Sequence, residues 1–480
     1  MLFNTFSFGA FFFVVYLLYW TIFNRSQQRR NVFLLAVSYF FYGCWDWRFI
    51  LLIAGVSSTD YFLSREIHKT ENQKKRKIIL IAVLGFNLGL LGFFKYYHFF
   101  VDSFINLMIL LGLNVNQSTL QIVLPVGISF FTFQGLSYVL DIYYKKIEPT
   151  DDIIAFFTFI SFFPQLVAGP IERARDLLPQ FTDKQRRKPF DYIAMRKGLL
   201  LIAAGLFKKM VIADRVAIYV DNTYSDIAGA AGWPSIIAIA FFAIQLYLDF
   251  SAYSQIAIGT AKMLGFRLSK NFDSPYLSTS FKDFWARWHI TLTSWFRDYL
   301  YFPLGGSKKG RLRTYTNVMI IFAVSGLWHG ASWNFVIWGC LNGMALVLFD
   351  KILHLHPTSW AGKIISCFFV VTYWALSLVF FRSESFGDAV SMLGNIGFTH
   401  FDRIYNYGLN SMEFRFSLLT IAGLMIVEIL LKNQKKTSIH LIFNHLTPLR
   451  WLCYLALVLG TIYFGIYGNG ADNNFIYFQF

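Results

Sequence analysis

The stretch NVMIIFAVSGLWHGASWNFVIWGCLNGMALVLFD, residues Asn317 to Asp350, decides the fold class. One helical pass of a bilayer takes about 17–25 apolar residues at about 1.5 Å each, so this run is just long enough to hold two passes at the short end of that range. In its middle stands Ser325-Gly326-Leu327-Trp328-His329-Gly330-Ala331-Ser332-Trp333-Asn334. A histidine there has given up its water, and a polar group in such a place costs free energy unless it is partnered or working. His329 is therefore the first candidate functional residue. If the helix runs on through it, Ser325 and Gly326 lie one turn before it and Ser332 and Trp333 one turn after, with Gly330 and Ala331 also small. That predicts free space beside the imidazole for a thioester or an incoming hydroxyl. Burial favours a neutral ring, able to accept a proton near neutral pH. A hydrogen-bonding core histidine is the competing reading.

The whole chain agrees with this stretch. Of 480 residues 56% are hydrophobic, 20% aromatic and 15% charged, against about 25% charged in a soluble protein. An all-α polytopic membrane protein is expected. The net charge of +16 does not point to nucleic acid, because the basic residues cluster between apolar runs, as cytoplasmic loops do. Cys44, Cys340, Cys367 and Cys453 lie far apart, and His354 and His356 have one residue between them and no acidic neighbour. No metal site is expected.

The apolar run Phe8 to Phe23 has no basic region before it and reads as a retained helix, not a signal peptide. Arg25, Arg29 and Arg30 behind it place the N-terminus outside. The next basic cluster, Arg65 to Lys77, is also cytoplasmic, so Asn31 to Phe62 must leave and return as a hairpin about Cys44-Trp45-Asp46-Trp47. Ile78 to Phe94 is a span, and Phe99 to Leu113 is either a tilted span or an interfacial segment. Leu120 to Tyr144 contains Pro125, Gly127 and Gly135, and Ile153 to Ile171 contains Pro164, Gly169 and Pro170. Both are expected to be kinked or broken, which survives at membrane depth only where protein or a cavity satisfies the freed backbone groups. Lys208 and Lys209 in Leu199 to Ala213 read as snorkelling toward phosphates.

Trp233 to Tyr253 is a span carrying Gln245, Tyr247, Asp249 and Ser251, and Asp249 there either serves a site, lining a polar path or holding a catalytic group in place, or belongs to an interhelical hydrogen-bond cluster. After an amphipathic, basic region and the opening stretch come the spans Lys363 to Phe381, Phe416 to Leu431 and Trp451 to Tyr467. Lys432, Lys435 and Lys436 send the last one outward, so both termini are outside and the crossings are even in number. The total is about 12, give or take two, with further re-entrant or interfacial helices. Residues 1–480 read as one integral membrane domain.

Within the basic region, FKDFWARWHITLTSWFRDY, Phe281 to Tyr299, puts Phe281, Phe284, Trp285, Trp288, Leu292, Trp295, Phe296 and Tyr299 on one helical stripe with His289 inside it. Two readings stand: a hydrogen-bonded structural histidine on an interfacial helix, or a second inward histidine converging with His329, 40 residues later. The loop Pro303-Leu304-Gly305-Gly306-Ser307-Lys308-Lys309-Gly310, with Arg311 after it, suits a phosphate or lipid head group. It lacks the spacing of a P-loop, and an ordinary cytoplasmic surface loop is the alternative.

These residues resemble a known family. FFPQLVAGPIER (Phe162 to Arg173), YLDFSAYSQIAIG (Tyr247 to Gly259), NFDSPY (Asn271 to Tyr276), FWARWHITLTSWFRDYLYFPLGG (Phe284 to Gly306), SGLWHGASWNFVIWG (Ser325 to Gly339) and FIYFQF (Phe475 to Phe480) are similar to the membrane-bound O-acyltransferases, in particular the bacterial alginate O-acetylation branch. The resemblance implies that His329 is catalytic and that His289 stands where many eukaryotic members carry asparagine; both are expected to be catalytic, His329 as general base and His289 orienting the thioester or stabilising the developing oxyanion. It departs at Ala252 and Gln255, where relatives often have Gly and Asp. It implies a helical fold with both histidines in a central funnel or channel, for which Asp249, Trp328, Ser325 and Trp285 are the expected lining. The implied reaction passes an acetyl group from acetyl-CoA, a substrate and not a bound cofactor, across the inner membrane to an exported or cell-surface polysaccharide. A partner acyltransferase outside the cytoplasm is implied, and Lys308, Lys309 and Arg311 would steer the anionic donor. The alternatives are D-alanyl transfer from a carrier protein toward teichoic acid, a transporter or flippase, and a non-catalytic export scaffold.

Overall fold

Proline, glycine and buried polar side chains set where the helices stop. The computed structural model describes residues 1–113, 120, 122–183, 189–353, 357–432, 447–467 and 475–476, and every regular element among them is a helix. His354 and His356 lie outside the described residues. Among the described residues six helical runs are long and apolar enough to cross a membrane: Phe6–Arg25, Gln73–Leu110, Trp233–Met263, Trp333–Ile352, Trp360–Arg382 and Ser411–Leu431. Phe13, Ile365 and Leu419 on these runs are exposed, as side chains facing lipid are. The chain is a multi-pass membrane protein. Ile78 to Phe94 and Phe99 to Leu113 join into a single 38-residue run, which passes through a π-helical turn at Gly92–Tyr96.

Contacts divide the chain into two compact units, Met1–Gly198 with Ala257–Ser269, and Leu199–Ile256 with Lys270–Phe480. In the first, Gln27–Gly43 and Arg48–Lys69 form the hairpin expected about Cys44-Trp45-Asp46-Trp47. Helix Ile128–Tyr143 starts after Gly127, whose φ of 78° needs glycine and where a Cβ would press on the Leu166 carbonyl oxygen. The break thus falls at Pro125 to Gly127, and Gly135 does not interrupt the helix that follows. Ile153–Ser161 stops short of Pro164, and Phe162 to Arg173 continue without helix, buried. Side chains satisfy the end of that helix: the Phe159 carbonyl accepts from Gln134 Nε2 at 2.7 Å and Gln165 Nε2 at 3.0 Å. This is the internal satisfaction that a broken helix requires away from water.

In the second unit, the long helix Trp233–Met263 runs ten residues beyond the span expected to end at Tyr253, with its end from Ala257 onward belonging to the first unit. Arg311–His329 ends at His329, because Gly330 is extended. Ser332 then caps Trp333–Ala345 by accepting from Asn334 N at 3.2 Å. The expectation that the helix continues through His329, and that small neighbours leave space beside it, is corrected on both counts. A Cβ on Gly326 would overlap the Phe335 carbonyl, one on Gly339 the Phe322 carbonyl, and one on Gly330 the Phe335 ring. The small residues let two helices approach backbone to backbone, and the space is already taken.

Gly339→Ala is accordingly expected to force the hairpin apart, at a cost of roughly 1–3 kcal/mol, and to lower thermal stability by several degrees. Gly423→Ala, on the lipid-facing helix Ser411–Lys432 where nothing lies within 4 Å, serves as the control. Equal melting of the two purified variants would contradict this account of the glycines.

Candidate active site

The stretch expected to be one helix through His289 is two. Phe281–Arg287 ends before Trp288, which is extended, and Ile290–Phe296 begins after His289, which is left-handed at φ 42°, ψ 53°. A further π-helical turn, Arg297–Tyr301, follows. Left-handed backbone disfavours residues with a Cβ, but asparagine, aspartate and histidine are enriched among the exceptions. A polar ring thus stands where the chain turns, and not on the side of a cylinder. It is buried at 1% exposure, with the Phe250 ring 4.7 Å away, centre to centre.

Asn271 fixes the protonation pattern of His289. Its Oδ1 accepts from the Thr291 backbone N–H at 3.3 Å and from Thr291 Oγ1 at 3.0 Å, and the same oxygen lies 3.2 Å from His289 Nδ1. A backbone N–H can only donate, so the atom facing it is the carboxamide oxygen, and Nδ1 must be the protonated nitrogen of the neutral ring. Nε2 then carries the lone pair. His289 lies outside the six apolar runs, and burial pushes its imidazole down to about 3, overcoming a smaller backbone hydrogen bond that raises it. Asn271 also donates from Nδ2 to Ser254 Oγ at 3.3 Å, on helix Trp233–Met263.

In the linear chain Asn271 stands out only as part of the NFDSPY motif, because its link to a histidine 18 residues on depends on the break. Asn271→Ala is expected to lower turnover on the order of 100-fold through misplacement of the ring, with little change in KM. Asn271→Asp still accepts from Nδ1 and is expected to retain more activity, with the acid limb of the pH–rate profile moved to higher pH because a carboxylate favours imidazolium. Equal loss in both variants would remove the positioning role.

His329 is 5% exposed and set among rings: Trp328 at 4.8 Å, Trp338 at 5.0 Å and perpendicular, and Phe381 at 5.6 Å, centre to centre. The Trp328 ring is also 5.9 Å from that of His289. The two histidines therefore share one indole, the convergence that sequence spacing alone could not establish. Trp285 packs edge to face on Trp374 at 5.6 Å and lies 6.3 Å from Trp338. The indole N–H groups of Trp285 and Trp338 are buried with no hydrogen-bond partner among the described residues. An unmet buried donor costs about 1–3 kcal/mol, which a carbonyl oxygen bound there would relieve. Trp338 is the second residue that the sequence reading missed; its signal is a tryptophan on the opposite arm of the hairpin that carries His329. Ser325 is half-buried one turn before His329.

The other expected site residues lie elsewhere. Asp249 Oδ1 accepts from Lys209 Nζ at 2.7 Å and its Oδ2 from the Ile476 N–H at 2.8 Å, while Lys209 also pairs with Asp214 at 2.7 Å. This is the interhelical cluster, the second of the two readings of Asp249. It corrects the snorkelling expected of Lys209, which is 2% exposed: two carboxylates hold the ammonium in the interior more strongly than one distant phosphate would. Lys308, Lys309 and Arg311 are exposed at the far end of the helix that terminates in His329. About 27 Å of helix at about 1.5 Å per residue separates them from it, so they do not touch the reacting groups.

A buried aromatic setting with a histidine, a second histidine of fixed tautomer and two buried indole N–H groups without a partner among the described residues suits acyl transfer to a hydroxyl. Comparison with known proteins agrees. Residues 150–384 match the model of the membrane-bound O-acyltransferase family. The chain is 38% identical over 399 residues to the probable alginate O-acetylase AlgI of Pseudomonas putida, covering 81% of this chain and 79% of that protein. It is 35% identical to the peptidoglycan O-acetyltransferase of Helicobacter pylori, over 76% of this chain and 74% of that one. The teichoic acid D-alanyltransferase of Bacillus subtilis is 26% identical over 47% of this chain and 58% of its own length. With this geometry and these relatives, the chain belongs to the membrane-bound O-acyltransferase family and is an acyltransferase.

Proposed function

We propose that this protein O-acetylates an exported or cell-surface polysaccharide, taking the acetyl group from acetyl-CoA on the cytoplasmic side of the inner membrane. The observation that carries the reading is the pair of buried histidines against one shared tryptophan. The likeness to an alginate O-acetylase and a peptidoglycan O-acetyltransferase over most of the chain supports the acceptor class. D-Alanyl transfer is the second reading; the likeness to a D-alanyltransferase covers less of the chain at lower identity.

In this mechanism His329 removes the proton of the attacking hydroxyl as the new C–O bond forms on the thioester carbonyl. The carbonyl oxygen takes up the electron pair and becomes an oxyanion, stabilised by the indole N–H groups of Trp285 and Trp338. Collapse expels the thiolate of CoA, which recovers the proton from His329. The tautomer set by Asn271 gives His289 no proton at Nε2 to offer an oxyanion, and the one proton of the attacking hydroxyl goes to His329. The role of His289 is that of positioning, and the oxyanion falls to the indoles. The attacking hydroxyl belongs to the polymer or to a carrier on a partner acyltransferase outside the cytoplasm.

The same reading has both termini outside, about 12 crossings and a central funnel reaching the histidines from both faces, in a chain that acts as one unit. Lys308, Lys309 and Arg311 steer the donor only at the surface. Mass analysis of surface polymers from cells with and without the gene tests the function. Loss of O-acetyl groups is expected; loss of D-alanine with acetyl retained would select the second reading, and unchanged polymers would remove both.

A further inference from the structure

In the second unit a cleft of about 680 Å³ opens beside three of the membrane runs, Trp233–Met263, Trp360–Arg382 and Ser411–Leu431. Its lining is apolar, with Ile236, Ala240 and Ala243 on the first, Val371 and Ala375 on the second and Leu424 on the third. The polar tips of the two tyrosines in its wall are turned into the protein. Tyr247 Oη donates to Glu428 at 2.5 Å, and Tyr276 Oη donates to the Ala243 carbonyl while accepting from Trp374 Nε1 at 3.3 Å. Their rings are thus presented as hydrocarbon. Phe368 and Phe398 at the rim are largely exposed, so the cleft is open at the side. From Ile236 to Tyr247 it follows the first helix for about 16 Å at about 1.5 Å per residue. One leaflet of a hydrocarbon core of about 30 Å is about 15 Å deep. The wall, the opening and the length match a single chain of a bilayer lipid.

The inner wall leads to the site. The Tyr276 and Trp288 rings are stacked at 6.3 Å and Tyr247 lies 6.0 Å from Trp288, the residue before His289.

We propose that one hydrocarbon chain of a membrane phospholipid occupies this cleft as a fixed ligand, holding Tyr247 and Tyr276 against Trp288 and so supporting the turn at His289. A chain there buries the cleft's apolar surface and keeps the tyrosine rings from swinging outward, whereas a short water-filled gap against hydrocarbon walls would be unfavourable. The reaction itself needs no long chain, so the occupant is structural and not a substrate.

The test uses the full-length protein, purified and stripped of loose lipid. Native mass spectrometry of the wild type is expected to retain one phospholipid. Ala240→Trp or Thr372→Trp, which fill the exposed mouth of the cleft, is expected to lose it, and Leu419→Trp on the lipid-facing side of Ser411–Lys432 to keep it. Harsh delipidation is expected to lower acyl transfer at least tenfold, with recovery on addition of dioleoyl phosphatidylglycerol vesicles, a dependence that Ala240→Trp lacks. Absence of retained phospholipid in the wild type, retention of a detergent molecule alone, or equal retention by Ala240→Trp would each overturn the proposal. The lipid count is read by mass and holds whichever acyl group the enzyme transfers.

Discussion

His329→Ala, at wild-type abundance in the membrane, lowers acyl incorporation into surface polymer by about three orders of magnitude; that is the expected result, since removal of a general base typically costs about 10²–10⁴-fold. Three features favour His329 for the proposed role. It ends its helix where the backbone turns away, it is enclosed by Trp328, Trp338 and Phe381, and it shares Trp328 with a second buried histidine, His289. His329→Gln, closer in volume, is expected to fold and to be equally inactive, which separates chemistry from packing. Near-normal incorporation by either variant would sink the assignment. A transporter reading makes a different forecast, because flux of unmodified substrate would survive the loss of the base.

The second large effect is on stability, at Lys209. Its ammonium lies 2.7 Å from both Asp214 and Asp249, with all three side chains almost fully buried. Lys209→Met leaves two carboxylates facing each other with their cation removed, and breaking a buried pair from one side costs about 3–5 kcal/mol. Against a total stability of about 5–15 kcal/mol, the variant is expected to yield little folded protein. Asp249→Asn is milder, because Asp214 still neutralises the ammonium, although the Ile476 N–H then faces a weaker acceptor. Combining Lys209→Met with Asp214→Asn and Asp249→Asn is expected to recover much of the loss, since the unpaired charges are gone. Thermal unfolding of the purified variants measures this, and a triple variant no better than Lys209→Met alone would mean that the cluster is held by something other than charge.

Each of these results depends on an arrangement that the linear chain showed only in part. Composition and the basic clusters determined that the chain is helical and crosses a membrane repeatedly, because apolar length and charge asymmetry act locally. Pro164 and the Pro125–Gly127 pair marked real breaks for the same reason: a missing N–H or a positive φ is a property of the residue in place. His329 stood out because a polar ring within an apolar run is costly wherever it lies, and the motifs around it carried the resemblance to a family. Periodicity failed at His289, since an amphipathic pattern is compatible with one helix or with two joined at a left-handed residue, and the bonds of Asn271 to Thr291 and to His289 belong only to the second. The small residues about His329 read as open space because the sequence does not contain the second helix that fills it. Lys209 read as a snorkelling cation because its two carboxylates are 5 and 40 residues away. The sequence by itself determined the class of the fold and the residue to suspect, through costs that each residue incurs alone. Only the tertiary structure decided which partners meet those costs, because hydrogen bonds, ion pairs and ring contacts depend on distances that the folded backbone sets.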